Sequence, residues 1–291
     1  MGPTAVGKTA VAIKLAKYYQ TEIISADSRQ IYREMNIGTA KPSPEELASV
    51  SHHFIDTHSI REPYNAAQFG RDALEKIATL FKKYDNLILC GGSGLYIKAV
   101  CQGFDDIPDV AQGIRDDLNA HYKKNGLSWL QNKMKELDPD HYINIDQQNP
   151  QRLMRALEVI ISTGLSIRSF QNKKSDPRPF NIIKIGLTME RGALYERINQ
   201  RMDNMIATGL FEEAQQLYHY KNYNALQTVG YQEIFDYIDG MYDKVEATRL
   251  LKQNSRRYAK RQLTWFMRDK STQWFDPDEV EGIVEYLNAT V

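Results

Sequence analysis

The sequence lacks the features that mark several whole classes of protein. Among its 291 residues are only two cysteines, Cys90 and Cys101. No disulfide framework can therefore hold the fold, and both thiols read as small apolar core side chains. No apolar run approaches the roughly 20 residues that a membrane-spanning helix needs, the stretch at 87–90 being among the longest. No secretory leader is read at the start, so the expected location is the reducing cytoplasm. Excess charge of either sign is also missing: 37 basic side chains face 37 acidic ones, and only a local patch could mark a polyanion site. What is present excludes dominant disorder, with 17 Tyr, 10 Phe and 3 Trp in a chain that is 42% hydrophobic. This length fits one large domain or two modest ones.

One segment says more than composition does. Gly2-Pro3-Thr4-Ala5-Val6-Gly7-Lys8-Thr9 fits the phosphate-binding loop pattern G-x-x-x-x-G-K-[ST] at every position. The glycines let backbone N–H groups turn inward as a nest. Lys8 adds a point charge for terminal phosphate oxygens, and the Thr9 hydroxyl can ligate Mg²⁺. Residues 10–16 read as a helix whose N-terminus points at the anion. The pattern also calls for a strand before the loop, and none is read ahead of residue 2.

Beyond the loop, apolar stretches at 22–26, 52–56, 87–90 and 182–187 read as strands. Residues 66–84 have helical periodicity through Phe69, Ala73, Ile77, Leu80 and Phe81. Gly91-Gly92-Ser93-Gly94 is the turn leaving the strand at 87–90. Strands alternating with helices predict an α/β fold: a phosphate-loop NTPase-like core whose parallel sheet is flanked by helices. Ligands then bind beyond the carboxyl ends of the strands, where Asp27, Asp56 and Ser93 fall. From Ile114 to about Arg168 the pattern is helical, with amphipathic segments at 129–137 and 152–161, and the polar stretch 172–179 reads as a linker. The predicted organisation is a core of residues 1–106 and 179–291, mostly helical after Ala193, interrupted by a helical insertion domain at 107–178.

A phosphate loop alone fits an NTPase, a kinase, or a transferase with a diphosphate leaving group. Asp27, at the end of an apolar strand, can hold Mg²⁺, act as base toward an acceptor nucleophile, or cap the next helix. Arg197 and Arg201 lie four apart on a predicted helix and offer two guanidinium forks to a diphosphate, or pair with Glu196 and Asp203 at the surface. His52, His53 and His58 have no cysteine nearby and read as core or loop histidines rather than zinc ligands. Between Arg249 and Lys270, the basic residues Arg249, Lys252, Arg256 and Lys260 recur at helical spacing and share a face. Tyr258, Trp265 and Phe266 are interleaved with them. That pattern is either a solvated helix face or an RNA track.

These residues together resemble the tRNA dimethylallyltransferase family of the bacterial type, over nearly the whole chain. The likeness rests on the loop at 2–9, Asp27-Ser28-x-Gln30-x-Tyr32, Met35-Asn36-Ile37-Gly38-Thr39-Ala40-Lys41 and His52-His53. It continues through Gly91-Gly92-Ser93-Gly94-Leu95-Tyr96, Pro150-Gln151-Arg152-Leu153-x-Arg155-Ala156-Leu157-Glu158, Val229-Gly230-Tyr231 and Lys260-Arg261-Gln262-Leu263-Thr264-Trp265-Phe266. Departures are the leading strand, Ser93 where the family often has Thr, and Met267 where a basic residue commonly follows Trp-Phe.

The resemblance implies transfer of a dimethylallyl group from dimethylallyl diphosphate to N6 of the adenine just 3′ of the anticodon, in tRNAs that read codons beginning with U. Diphosphate is released. Lys8, Thr9, Asp27 and Arg201 are the implied catalytic residues. Gly2, Pro3, Thr4, Ala5, Val6, Gly7, Lys8 and Thr9, with Arg197 and Arg201, are the implied diphosphate or nucleotide site, and Thr9 the residue for Mg²⁺. The implied tRNA contacts are Asp27, Ser28, Arg29, Gln30, Ser93, Arg115, Gln151, Arg152, Leu153, Met154, Arg155, Gln227, Thr228, Val229, Gly230, Tyr231 and Gln232. To these are added Lys260, Arg261, Gln262, Leu263, Thr264, Trp265 and Phe266. The expected partners are a tRNA anticodon stem-loop and dimethylallyl diphosphate, with no membrane and a monomeric chain. The rival is a small-molecule kinase with ATP in the same loop. Against it stand the basic helix and the insertion, because small substrates need no polyanion track.

Overall fold

A computed structural model describes residues 1–171 and 177–290. The chain divides into two compact units, Met1–Gly103 with Arg178–Val291, and Phe104–Pro177. The stretch read as a linker falls largely outside the described residues.

The first unit begins with α1 (Lys8–Tyr18), β1 (Ile23–Ser25), α2 (Pro44–Ser49), β2 (His52–His53), α3 (Ala66–Leu80), β3 (Ile88–Cys90) and α4 (Gly94–Cys101). The second unit holds α5 (Gln112–Leu137), α6 (Pro139–Tyr142) and α7 (Pro150–Thr163). The chain then returns to the first unit with β4 (Lys184–Leu187), α8 (Arg191–Ala207), α9 (Leu210–Leu217), α10 (Gln232–Ile238), α11 (Lys244–Phe266), β5 (Thr272–Phe275) and α12 (Val280–Thr290).

All strand pairing is parallel. β1 lies between β2 and β3, with Ile23 opposite His52 on one side and Ile88 on the other, and β4 pairs with β5. β1 is buried along its whole length, on both faces, which suits its two isoleucines. Ile23 packs with Ala12, Ile13 and Ala16 of α1. Ile24 packs with Phe69, Ala73 and Ile77 of α3 and with Val100 of α4. A further core joins α8, α9, α10 and α11 to Ile31, Tyr32 and Met35.

Two details depart from the sequence reading. The residue before the phosphate loop has a strand partner: the Met1 nitrogen donates to the Ile185 carbonyl at 2.7 Å, and its carbonyl accepts from the Leu187 N–H at 2.8 Å. That alternation is how a parallel neighbour bonds to β4. Thr272–Phe275, inside a stretch read as mostly helical, is β5, in keeping with its β-branched and aromatic content. At the carboxyl ends of these strands, Ala26 donates to the Cys90 carbonyl at 2.7 Å, and Ser93 donates back to the Ala26 carbonyl at 3.3 Å. The turns after β1 and β3 are thereby tied side by side.

In the second unit α5 packs on α7 through Leu118, Leu130, Met134, Leu153, Leu157 and Val159. Leu153 and Met154, expected at an RNA surface, are buried in this core, so their side chains have no face to offer a nucleic acid. Arg115 and Arg155, also expected there, converge on Glu158. The Glu158 carboxylate is 3% exposed and accepts from Arg115 Nε at 2.7 Å, Arg115 Nη2 at 2.9 Å and Arg155 Nη1 at 3.3 Å. Burial alone would raise the Glu158 carboxyl, but the hydrogen bonds and charges of the two arginines outweigh it and leave its pKa lowered. A depressed carboxylate contributes stability above its unfolded value, and that stability is lost as pH falls through the folded value. Glu158→Gln is therefore expected to destabilise this unit by about 1–3 kcal/mol at neutral pH, both arginines being partly exposed. The deficit relative to the parent should close below the ordinary carboxylate value of 4.5. Amide hydrogen exchange along α7 at the two pH values checks both statements.

Candidate active site

Where the strands end, one pocket collects residues from several segments. Thr4, Ala5, Lys8 and Thr9 come from the phosphate loop, and Asp27, Arg29 and Gln30 from the turn after β1. Thr39 and Ala40 come from the loop before α2, Arg201 and Met202 from α8, and Tyr258 and Gln262 from α11.

The loop is shaped by local backbone rules. Gly7 caps α1 at φ 105°, a left-handed conformation that suits glycine. Ala5 is also left-handed at φ 63°, without that freedom. Val6 points into the core with Val11, Leu187 and Ile198 and anchors the loop from behind. Lys8 Nζ donates to the Pro3 carbonyl at 2.6 Å. Burial pushes the Lys8 ammonium down to about 8, Cys90 and Asp27 pulling it up and Arg201 adding to the drop. The Arg201 guanidinium is likewise lowered by burial and held up by Asp27.

Asp27 occupies the bend from β1. Its Oδ1 accepts from the Arg29 N–H at 2.9 Å and the Gln30 N–H at 3.2 Å, so the carboxylate organises its own turn. Both bonds fall on one oxygen. No helix follows Asp27, residues 28–31 being a turn, so the helix-capping role weighed from sequence is replaced by one of organising that turn, which leaves the other oxygen for a chemical role. Ser93 Oγ accepts from the Ser28 N–H at 2.9 Å and contacts Ser28 Oγ at 3.1 Å, joining the two turns. Gln30 Nε2 donates to the Thr39 and Ala40 carbonyls at 3.2 and 3.0 Å, fixing the opposite wall.

That wall has a second anchor which sequence reasoning missed. Glu213 of α9 accepts from the N–H groups of Asn36, Ile37 and Gly38 at 2.9, 2.8 and 2.9 Å. It also accepts from the Tyr231 hydroxyl at 2.6 Å. A lone glutamate in a helical run carries no local signal for a loop nearly 180 residues away.

The structure sorts the remaining predicted residues. Arg201 enters the pocket, with Ile198, Met202 and Met205 on the same side of α8. Arg197 is exposed and outside the lining, its Nη2 3.7 Å from where a Cβ on Gly7 would stand. Thr228, Val229 and Gly230 line the pocket. Tyr231, expected to meet tRNA, is fully buried against Glu213, while Gln227 and Gln232 bond to each other at 2.8 Å. His52, His53 and His58 take separate partners: the Val50 carbonyl, Glu22 and Thr57.

α11 presents three faces. Ser255, Tyr258 and Gln262 line the pocket. Burial, and then the charge of Asp27, push the Tyr258 hydroxyl up to about 12. The face read as basic is split: Lys252 pairs with Asp203 at 2.6 Å and Arg256 donates to Asn199 at 2.5 Å, both on α8, while Arg249 is exposed and pairs with Glu246 of its own helix at 2.6 Å. The exposed face is instead Arg257, Lys260, Arg261, Thr264 and Arg268. Gln262 and Phe266, expected to contact tRNA, are buried.

Fold and site define a phosphate-loop α/β protein in which a carboxylate shares one pocket with Lys8, Arg29 and Arg201. Residues 30–269 match the family model for IPP transferase. A curated relative, the tRNA dimethylallyltransferase of Cytophaga hutchinsonii, is 50% identical over 289 residues, covering 99% of this chain and 95% of the relative. That of Christiangramia forsetii is 49% identical over 292 residues, covering 100% and 97%. The crystal structure of the full-length tRNA isopentenylpyrophosphate transferase from Bacillus halodurans has a TM-score of 0.72 at 40% identity, covering 99% of this chain and 94% of that one. The chain belongs to the IPP transferase family. Membership sets aside the kinase alternative.

Proposed function

We propose that this chain transfers a dimethylallyl group from dimethylallyl diphosphate to N6 of the adenine just 3′ of a tRNA anticodon, in tRNAs that read codons beginning with U. The observation that carries the reading is the single pocket in which Lys8 and Arg201 stand with Asp27. Support comes from relatives of about half identity over the full chain that bear the name of this activity.

An exocyclic amine is a weak nucleophile because its lone pair is delocalised into the ring, so departure of the leaving group must lead. As the allylic C–O bond breaks, negative charge grows on the diphosphate. Lys8, Arg201 and the loop N–H groups meet that charge in an enclosed site, where fixed cations and dipoles act strongly. Asp27 accepts a hydrogen bond from N6 and takes its proton as the N–C bond forms. The Arg29 and Gln30 amides hold Oδ1, which leaves Oδ2 for the amine. The adenine leaves its stack in the anticodon loop to reach the pocket.

Thr9 and Asp27 offer hard oxygen donors in the same pocket, the kind that Mg²⁺ takes together with phosphate oxygens and water. Among the described residues no group of three or more His, Cys, Asp or Glu could hold a metal ion. When bound, Mg²⁺ neutralises part of the leaving group's charge, and Thr9 would hold it. Within the first unit the exposed side of α11 offers cations to the RNA backbone, and the second unit, taken by itself, exposes Gln151 and Arg152. Among the described residues no helix is long and apolar enough to cross a membrane. The chain acts as a monomer, in the cytoplasm, where tRNA resides.

Incubation with dimethylallyl diphosphate labelled in the prenyl group, γ-labelled ATP and bulk tRNA should move only the prenyl label into RNA. Phosphoryl transfer without prenyl transfer would overturn the reading. Because burial holds the Lys8 ammonium near 8, binding of inorganic pyrophosphate should weaken as pH rises through that value, by up to about tenfold per unit. Lys8→Met should bind poorly throughout and lose that pH dependence. Replacing Lys260 and Arg261 together by Glu should weaken tRNA binding in a folded protein. It should also flatten the salt dependence by about 0.7–0.9 log units per lost contact. Normal, salt-steep binding by that variant would remove α11 from the RNA track.

A further inference from the structure

α11 hydrogen-bonds to the phosphate loop through Gln262. Gln262 is 7% exposed, and both ends of its amide are used. Oε1 accepts from the Thr4 N–H at 2.8 Å, and Nε2 donates to the Gly92 carbonyl at 2.8 Å. The approach is close: a Cβ at Gly92 would stand 2.5 Å from Gln262 Nε2, displacing that amide, and 3.5 Å from Lys8 Nζ. Gln262 thus sits where the loop, the turn after β3 and the loop lysine come together.

The two bonds need one acceptor facing an N–H and one donor facing a carbonyl, side by side. A planar amide supplies both. A carboxylate would turn negative charge onto the Gly92 carbonyl beside a cradle meant for an anion. An aliphatic side chain would leave the Thr4 N–H and the Gly92 carbonyl without partners. The loop amides can act on a phosphate only if they already point inward together. Gly7 fixes the helix end of the loop, while the Thr4 N–H, turned to α11, fixes the other.

We propose that Gln262 is a positioning residue for the diphosphate. It holds the phosphate loop and the Gly91-Gly92 turn in register so that Lys8 and the loop amides meet the leaving group preassembled. It touches no reacting atom and acts through Thr4 and Gly92. This inference rests on the reading of the pocket as a diphosphate site.

The test measures the affinity of inorganic pyrophosphate with Mg²⁺ by calorimetry, for the parent, Gln262→Met and Gln262→Glu. Binding of an anticodon stem-loop RNA is measured alongside. Gln262→Met should weaken pyrophosphate about tenfold, the effect of one or two lost buried hydrogen bonds, and leave RNA affinity within about twofold. Gln262→Glu should weaken pyrophosphate more at pH 8. Near pH 5 its affinity relative to the parent should recover, because a protonated Glu again presents one donor and one acceptor. A merely structural role would not produce that pH-dependent rescue, and the Glu variant answers the question if the Met variant does not fold. Parent-like pyrophosphate binding by Gln262→Met, or a Glu deficit that is flat with pH, overturns the proposal alone. A parent that does not bind pyrophosphate overturns the diphosphate reading and this proposal with it.

Discussion

Lys8 and Arg201 stand with Asp27 in one pocket, and holding them there is the constraint on which the rest of the structure depends. Burial draws both Lys8 and Arg201 below their ordinary values, and the Asp27 carboxylate supports both. A cation taken out of water costs several kcal/mol unless it is matched. Within the chain the match is small: the Pro3 carbonyl on Lys8 Nζ at 2.6 Å, and Asp27 nearby. On the proposed function, a diphosphate supplies the balance. Binding of the anion and restoration of the lysine's proton affinity are therefore one thermodynamic event.

Such a pocket works only if its walls do not collapse onto the charges, and much of the surrounding hydrogen bonding serves that end. Gln30 holds the Thr39–Ala40 wall from the site side, and Glu213 holds the preceding residues from behind with three backbone amides. The Ser28–Ser93 contact joins the turns after β1 and β3. These anchors are neutral amides and hydroxyls close to the cations, and a carboxylate only where it already receives three N–H groups and the Tyr231 hydroxyl. Helices α8 and α11 complete the enclosure. Each turns one apolar and polar stripe inward, Ile198–Arg201–Met202–Met205 and Ser255–Tyr258–Gln262.

What could be read from sequence was what depends on neighbours along the chain. The loop, its helix, the short apolar strands and the four-residue spacing of Arg197 and Arg201 are local patterns, and the structure has Lys8, Thr9, Asp27 and Arg201 at one pocket. Spacing could not say which arginine of the pair turns inward. That depends on Ile198 and Met202 packing beside Arg201. The face of α11 was misjudged for the same kind of reason. Arg249, Lys252, Arg256 and Lys260 do recur at helical spacing, but Asp203 and Asn199, some fifty residues earlier, turn Lys252 and Arg256 toward α8. Glu213 was invisible, and Gln262 was read as a tRNA contact rather than a loop contact, because the partners that place them are chiefly backbone groups, which no residue-type pattern records. β5 was missed because four residues are too few for a period to register.

The central claim is that a carboxylate acts on the acceptor while two cations act on the leaving group, in one pocket. Single-turnover transfer by Asp27→Asn, with donor and tRNA each saturating, tests it most directly. Asparagine keeps the shape and can still accept the Arg29 and Gln30 amides, but it cannot take the N6 proton. The account predicts that the chemical step slows by about 10²–10⁴-fold while the dissociation constants for both substrates stay near those of the parent. An unchanged chemical step, with the loss confined to tRNA affinity, would contradict it.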